Sequence, residues 1–306
     1  MQRTLKKDIQ IVGIGLHSGR PARLRILPAA ANMGIWFRRI DITDVDNMIP
    51  ALWDMVGDTL LSTGIENESG VSVSTIEHLM AALAGCGVHN AIIEIDGPEV
   101  PIFDGSADRF VTEIQRAGLV EQGQTVAVLE ILKPVRVQKG DAFASLSPLD
   151  HFEIDFSIDF PGTIIGQQSA KLDMRNGNFV HEIANCRTFC RVEDVDAMRA
   201  TGRALGGSLD NALVVEGDHY QNPEGPRRQD ECVRHKMLDA LGDLYLAGAP
   251  LLGRYQGVKA GHNLTNLVLQ ELFSTAGAAR LRLAKPHELA LLPGPDMQEF
   301  ALLRAG

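Results

Sequence analysis

An α+β fold built from two similar halves is what this chain predicts, and three observations carry that expectation. The chain has 306 residues, which at about 100 to 200 residues per domain is room for two. Each half opens on strand-like runs around a polar turn: DIQIVGIGL, HSGRP and ARLRILPA (8–29), then VAVLEILKPVRV, QKGD and AFASLSPL (126–149). Each half later carries a helical stretch with a histidine, STIEHLMAALAG (74–85) and ECVRHKMLDALGDLYLAG (231–248), followed by a short apolar segment. The halves meet near residues 120–127, and the two histidine helices are expected to be equivalent elements facing one another.

The elements follow in order. Ile9 and Ile11 alternate with Asp8 and Gln10, the period of a half-buried strand rather than of a signal peptide. Ser74 with Glu77 three residues on forms a capping-box pattern, and Gly85 reads as the stop of that helix. Ala91–Ile95 is an apolar strand candidate. In the second half, DFSIDF (155–160) alternates like a strand, and ALGGSLDNALVV (204–215) is a turn leading into an apolar run. The helix from about Asp230 to Ala247 is apolar except for one arc of roughly 100° holding His235, Lys236, Asp239 and Asp243. Buried charges need partners or a metal; the competing reading is a solvent-facing stripe with an i,i+4 ion pair. Leu251–Val258 then reads as the strand after this helix.

Composition narrows the partners. With 39 acidic and 29 basic residues the formal charge is −10, which gives no drive onto a nucleic-acid backbone. No apolar run reaches the roughly 18 to 20 residues of a membrane span; Leu244–Gly253 is half that. Four cysteines (Cys86, Cys186, Cys190, Cys232) are too few for a disulfide scaffold, and Cys186 with Cys190 lacks the second pair of a structural zinc site. The expectation is a soluble cytoplasmic monomer without nucleic-acid partners or stable membrane insertion.

The chemistry starts from His235 and Asp239, an i,i+4 pair able to grip one metal ion. A third ligand from another element would complete a catalytic zinc site. His78 suits because Glu77 lies beside it as a base, although Glu77 could equally be a capping residue. Two histidines and a carboxylate also describe a ferrous facial triad. No phosphate loop and no GxSxG elbow is present. A metal hydrolase therefore leads, with a non-enzymatic binding protein of the same repeated plan second.

TIEHLMAAL, PIFDGSA, RTF, GGSLDNALVV, RHKMLDALGDL and KAGHNLTN occur in an order and spacing that resembles the UDP-3-O-acyl-N-acetylglucosamine deacetylases, over roughly residues 3–275. The resemblance implies two β-α-α-β sandwich domains related by a pseudo-twofold, each with a small insert and with the active site between them. It sets the units at 1–123 and 124–275, an acyl-chain passage around 189–214, and a tail, 276–306, of unassigned role. It implies zinc, with ferrous iron as alternative, on His78, His235 and Asp239. Glu77 would be the general base and Thr188 would help hold the oxyanion. His262 would be the general acid, oriented and kept charged by Asp243.

By the same resemblance Lys236 and Lys259 would meet the diphosphate or sugar, Phe189 would stand at the passage mouth, and Asp159 and Phe160 would meet uridine. The implied reaction removes the N-acetyl group of UDP-3-O-(3-hydroxyacyl)-N-acetylglucosamine, committing it to lipid A in Gram-negative bacteria. The alternatives are a hydrolase of another acylated amino sugar and an inactive sugar-nucleotide binder. Two departures touch the passage and the uridine contacts rather than the metal chemistry. Cys190 and Arg191 stand where the family has Gly and an apolar residue, and Pro161 and Gly162 replace its His-Pro.

Overall fold

The computed structural model describes residues 1–175 and 177–294. Its architecture is a mixed set of helices and sheets. A five-stranded sheet takes all its strands from residues before 96, in the order Ile9–Ile14, Pro21–Pro28, Ala91–Ile95, Ile35–Arg39, Met48–Pro50. Ala91–Ile95 is antiparallel to Pro21–Pro28 and parallel to Ile35–Arg39. A seven-stranded sheet takes its strands from residues after 126. Leu251–Val258 is its centre, antiparallel to Ala142–Ser147 and parallel to both Ala127–Ile131 and Phe152–Phe160.

Six α-helices are described: α1 (Glu77–Gly85), α2 (Asp108–Ala117), α3 (Asn178–Glu182), α4 (Val192–Ala200), α5 (Glu231–Tyr245) and α6 (His262–Ser274). The two histidine helices, α1 and α5, pack on one another, and α6 covers the strands Val135–Lys139 and Ala142–Ser147. Every residue of α1 is buried, and α5 leaves only Arg234 and Lys236 less than fully buried. Helices apolar nearly all round belong in a core, and these two join Phe37, Ile49, Phe156 and Tyr255 in one apolar cluster. Their close approach depends on Gly242, where any side chain would collide with the backbone of Glu77.

Four expectations change. VAVLEILKPVRV is two strands, Ala127–Ile131 and Val135–Lys139, because Pro134 has no N–H for a ladder. The Ser74–Glu77 capping box does not form. The residue preceding α1 is Ile76, the Ser74 hydroxyl donates to the Pro98 carbonyl, and Glu77 turns inward to accept from the Thr63 N–H. Gly85 is the last residue of α1 and not the left-handed residue beyond it, which is Gly87, and Gly85 is small because the Phe179 ring rests on it. Residues 279–283, expected within the tail, form an edge strand antiparallel to Ala127–Ile131. Its Arg280 and Arg282 pair with Glu130 across the ladder.

Around 189–214 the strands Phe189–Arg191 and Leu213–Glu216 run parallel with α4 between them, and a third strand extends this small sheet to Tyr220. Residues 295–306, the end of the expected tail, lie outside the described residues. Among the described residues no helix is long and apolar enough to cross a membrane.

Candidate active site

The packing of α1 on α5 brings together side chains 157 or more positions apart in the chain. His78 leaves the first turn of α1, while His235 and Asp239 lie one turn apart on the facing side of α5. The spacing of 3.6 residues per turn puts the latter pair on one face. One ligand atom from each of the three lies within 4.8 Å of the others. Asp239 Oδ1 is 3.2 Å from His235 Nε2 and 3.5 Å from His78 Nε2, and the two rings meet edge-on at 5.0 Å. The stripe on α5 is therefore buried, and the solvent-facing reading of it does not hold.

Whether these residues fit a metal ion can be tested on their own bonding. His235 Nδ1 donates to the Cys186 carbonyl at 3.0 Å, which leaves Nε2 with its lone pair toward Asp239. Burial pushes the His235 pKa down to about 3, so the ring is neutral, as a ligand must be. Burial acts to raise the Asp239 pKa, but the charges of Lys236 and His262 outweigh it and hold the carboxyl well below its usual range. Asp239 Oδ1 is nonetheless buried with no hydrogen-bond partner, and so is His78 Nδ1. A buried carboxylate oxygen left unpaired costs about 1 to 3 kcal/mol or more. A divalent ion between these donors removes that cost, and the set fits one.

A second chain of bonds runs behind the cluster. The Thr63 N–H donates to Glu77 Oε2 at 3.0 Å, and the Thr63 hydroxyl to Asp243 Oδ1 at 2.6 Å. The other oxygen of Asp243 holds His262 Nδ1 at 2.8 Å. Burial opposes the charge on His262, but Asp243 and then Glu77 overcome it and push its pKa up to about 9. Burial raises the Glu77 pKa, with the charges of His262 and His78 opposing. The site therefore holds an imidazolium and a desolvated carboxyl group, bridged by Thr63 and Asp243.

Thr188 and Phe189 are held by a buried ion pair that sequence reading missed. Arg187, 3% exposed, gives Glu231 hydrogen bonds from its backbone N–H and its guanidinium, and Glu231 is fully buried. The Thr188 backbone is pinned by the Gly105 carbonyl and by the Leu213 N–H. Phe189 stands between Phe160, at 5.4 Å, and His235, at 6.3 Å, and so ties Phe160 to the cluster. The lysines differ from a free basic pocket. Lys236 bonds Asp239 Oδ2 at 2.7 Å, while Lys259 sits 2.9 Å from both Asp141 and Asp159. Thr63, Arg187 and Glu231 carry no spacing signal, although Arg187 opens RTF and Glu231 opens ECVRHKMLDALGDLYLAG.

Two imidazoles and a carboxylate gathered in one buried cluster, with a second carboxyl group and a charged histidine beside them, define a metal-assisted hydrolase. The model of the UDP-3-O-acyl N-acetylglycosamine deacetylase family matches residues 2–274. The UDP-3-O-acyl-N-acetylglucosamine deacetylase of Phenylobacterium zucineum is 48% identical over 281 residues, covering 92% of this chain and 96% of that one. Those of Shewanella frigidimarina and Idiomarina loihiensis are 45% and 47% identical, covering 92% and 90% of this chain and 92% and 91% of theirs. The chain belongs to the UDP-3-O-acyl N-acetylglycosamine deacetylase family.

Proposed function

We propose that the protein hydrolyses the N-acetyl group of UDP-3-O-(3-hydroxyacyl)-N-acetylglucosamine to acetate and the free amine, the committed step toward lipid A in a Gram-negative cytoplasm. The observation that carries the reading is the buried triad His78, His235 and Asp239 with Glu77 and His262 linked behind it through Thr63 and Asp243. Zinc on that triad, or ferrous iron, would lower the pKa of a bound water from 15.7 to about 7 and polarise the amide carbonyl.

The remaining chemistry belongs to the chain. Glu77, buried and raised in pKa, accepts the proton of the attacking water, and the Thr63 N–H fixes its second oxygen. The Thr188 hydroxyl donates to the oxyanion. His262 enters as the imidazolium and gives its Nε2 proton to the departing amine, because Nδ1 is held by Asp243. An amide nitrogen leaves only when protonated, so this transfer is required. Lys236 keeps Asp239 ionised and turns its charge toward the sugar. Phe189 and Phe160 border the acyl passage and the nucleoside, and Lys259 with Asp159 reads the polar end.

In this reading residues 1–123 supply Thr63, Glu77 and His78, and residues 124–275 supply the rest, so each unit alone is half a site. The protein acts as a monomer. The deciding experiment measures acetate release by the purified protein, after chelation, and after zinc or ferrous iron is returned, with Glu77→Ala beside it. Activity lost to chelator and restored by metal is expected. Glu77→Ala should bind the metal and lose about 100- to 10,000-fold in turnover. Undiminished activity after verified metal removal would overturn the mechanism.

A further inference from the structure

The end of α5 beyond the candidate site runs into a cavity that the proposed chemistry does not use. It lies at the seam where residues 32–36 and 50–52 face residues 126–127 and 248–250, and its volume is about 290 Å³. At about 30 Å³ per water molecule that is room for a ligand of roughly ten to fifteen non-hydrogen atoms. Trp36, Pro50, Leu52, Tyr245 and Pro250 give it flat apolar walls, and among the described residues no Asp, Glu, Lys or Arg lines it. A charged ligand would lose its hydration there without a counter-charge.

The polar side chains on the wall are committed, except for the amide NH2 of the solvent-exposed Asn32 and the ring of His89. The Trp36 indole N–H donates to the Met33 carbonyl, the Tyr245 hydroxyl to the Val88 carbonyl, and Gln2 and Asn90 bond each other. His89 differs. Its Nδ1 accepts the Arg3 backbone N–H at 3.0 Å, which leaves the ring proton on Nε2. No described residue accepts that Nε2–H, although the ring is not sealed in the core.

We propose that this cavity binds a small, flat, uncharged molecule whose apolar body lies among Trp36, Tyr245 and the prolines and whose single carbonyl oxygen accepts the His89 Nε2–H. The inference is independent of the deacetylase reading, because it is tested by binding and not by turnover. The probes are indole-3-carboxaldehyde and 3-methylindole, near-isosteres with and without the acceptor, titrated by ligand-observed NMR.

The aldehyde should bind with a dissociation constant on the order of 1 mM or tighter, and 3-methylindole about fivefold to tenfold more weakly. His89→Phe should bring the two probes to equal affinity. Ala249→Leu and Ala127→Leu, which fill the cavity from two sides, should each abolish binding while keeping a cooperative melting transition. If both filled variants fail to fold, the His89→Phe comparison alone decides. No binding of the aldehyde to the wild type, equal affinities of the two probes, or full binding in a folded filled variant would overturn the proposal.

Discussion

Asp243 has both carboxylate oxygens committed, one to Thr63 and one to His262, and this double engagement sets how its loss is felt. An isosteric Asp243→Asn keeps the shape and removes the charge that holds His262 as an imidazolium. The pKa of about 9 then falls toward the ordinary histidine value near 6.5. Because the acid must be protonated, activity is lost as pH rises through that pKa. The basic limb of the kcat/KM profile is therefore expected to move to lower pH in Asp243→Asn, with the acidic limb in place. An unshifted basic limb would remove this pair from the acid role. Glu231→Gln acts one layer further out. It removes the buried one of the two carboxylates that pair with the Arg187 guanidinium and leaves only the exposed Glu224, and breaking a buried pair costs about 3 to 5 kcal/mol. Since Arg187 precedes Thr188 and Phe189, the expected signature is a lowered Tm together with a raised KM; a KM unchanged at lower Tm would make the pair purely structural.

At the scale of elements, the site is a contact between two helices, and its precision rests on Gly242. A methyl there meets the Glu77 carbonyl carbon and the Ala81 nitrogen, the latter at 3.1 Å, so Gly242→Ala pushes α1 off α5. Overpacking of this kind costs about 1 to 3 kcal/mol, and here the displaced turn carries Glu77 and His78. Gly242→Ala should lower both Tm and metal affinity, measured by chelator competition. Gly85→Ala, which collides with Phe179 at the far end of α1, should lower Tm alone. Equal metal affinities in the two variants would contradict this. The contrast also marks what a sequence can disclose. The His235–Asp239 pair on α5 was legible because helical period fixes the geometry of neighbours four apart, and the first hairpin was legible because alternation fixes its faces. Thr63, which joins residues 14 and 180 positions away, has no periodic signature. Gly242 reads as an ordinary weak spot in a helix, and the break at Pro134 was hidden by the apolar residues on both sides of it. The turn of Glu77 into the site instead of back to Ser74 was open for a like reason, since both uses demand the same residue type.

For the whole molecule, the same charges that serve chemistry tie stability to pH. His262 has a folded pKa of about 9 against about 6.5 unfolded, so between these values the folded state holds a proton that the unfolded state has released. Stability from this group is fully present below about pH 6.5 and is lost as pH rises through 9. At full extent the difference amounts to about 3 kcal/mol. His89, His235 and the buried thiols act outside much of that window. His89 and His235, held neutral by burial with pKa values near 3, withdraw stability only as pH falls below about 6.5. The buried thiols of Cys86, Cys186 and Cys232, pushed up to about 12, favour unfolding only above the free-thiol value of about 8.5. From pH 6.5 to 8.5 the metal-free protein should therefore lose Tm steadily, and His262→Gln should show a nearly flat profile. Both are read by thermal melts of chelated protein at fixed ionic strength. A slope in His262→Gln equal to that of the wild type would assign the pH dependence to groups other than the imidazolium at the centre of the proposed site.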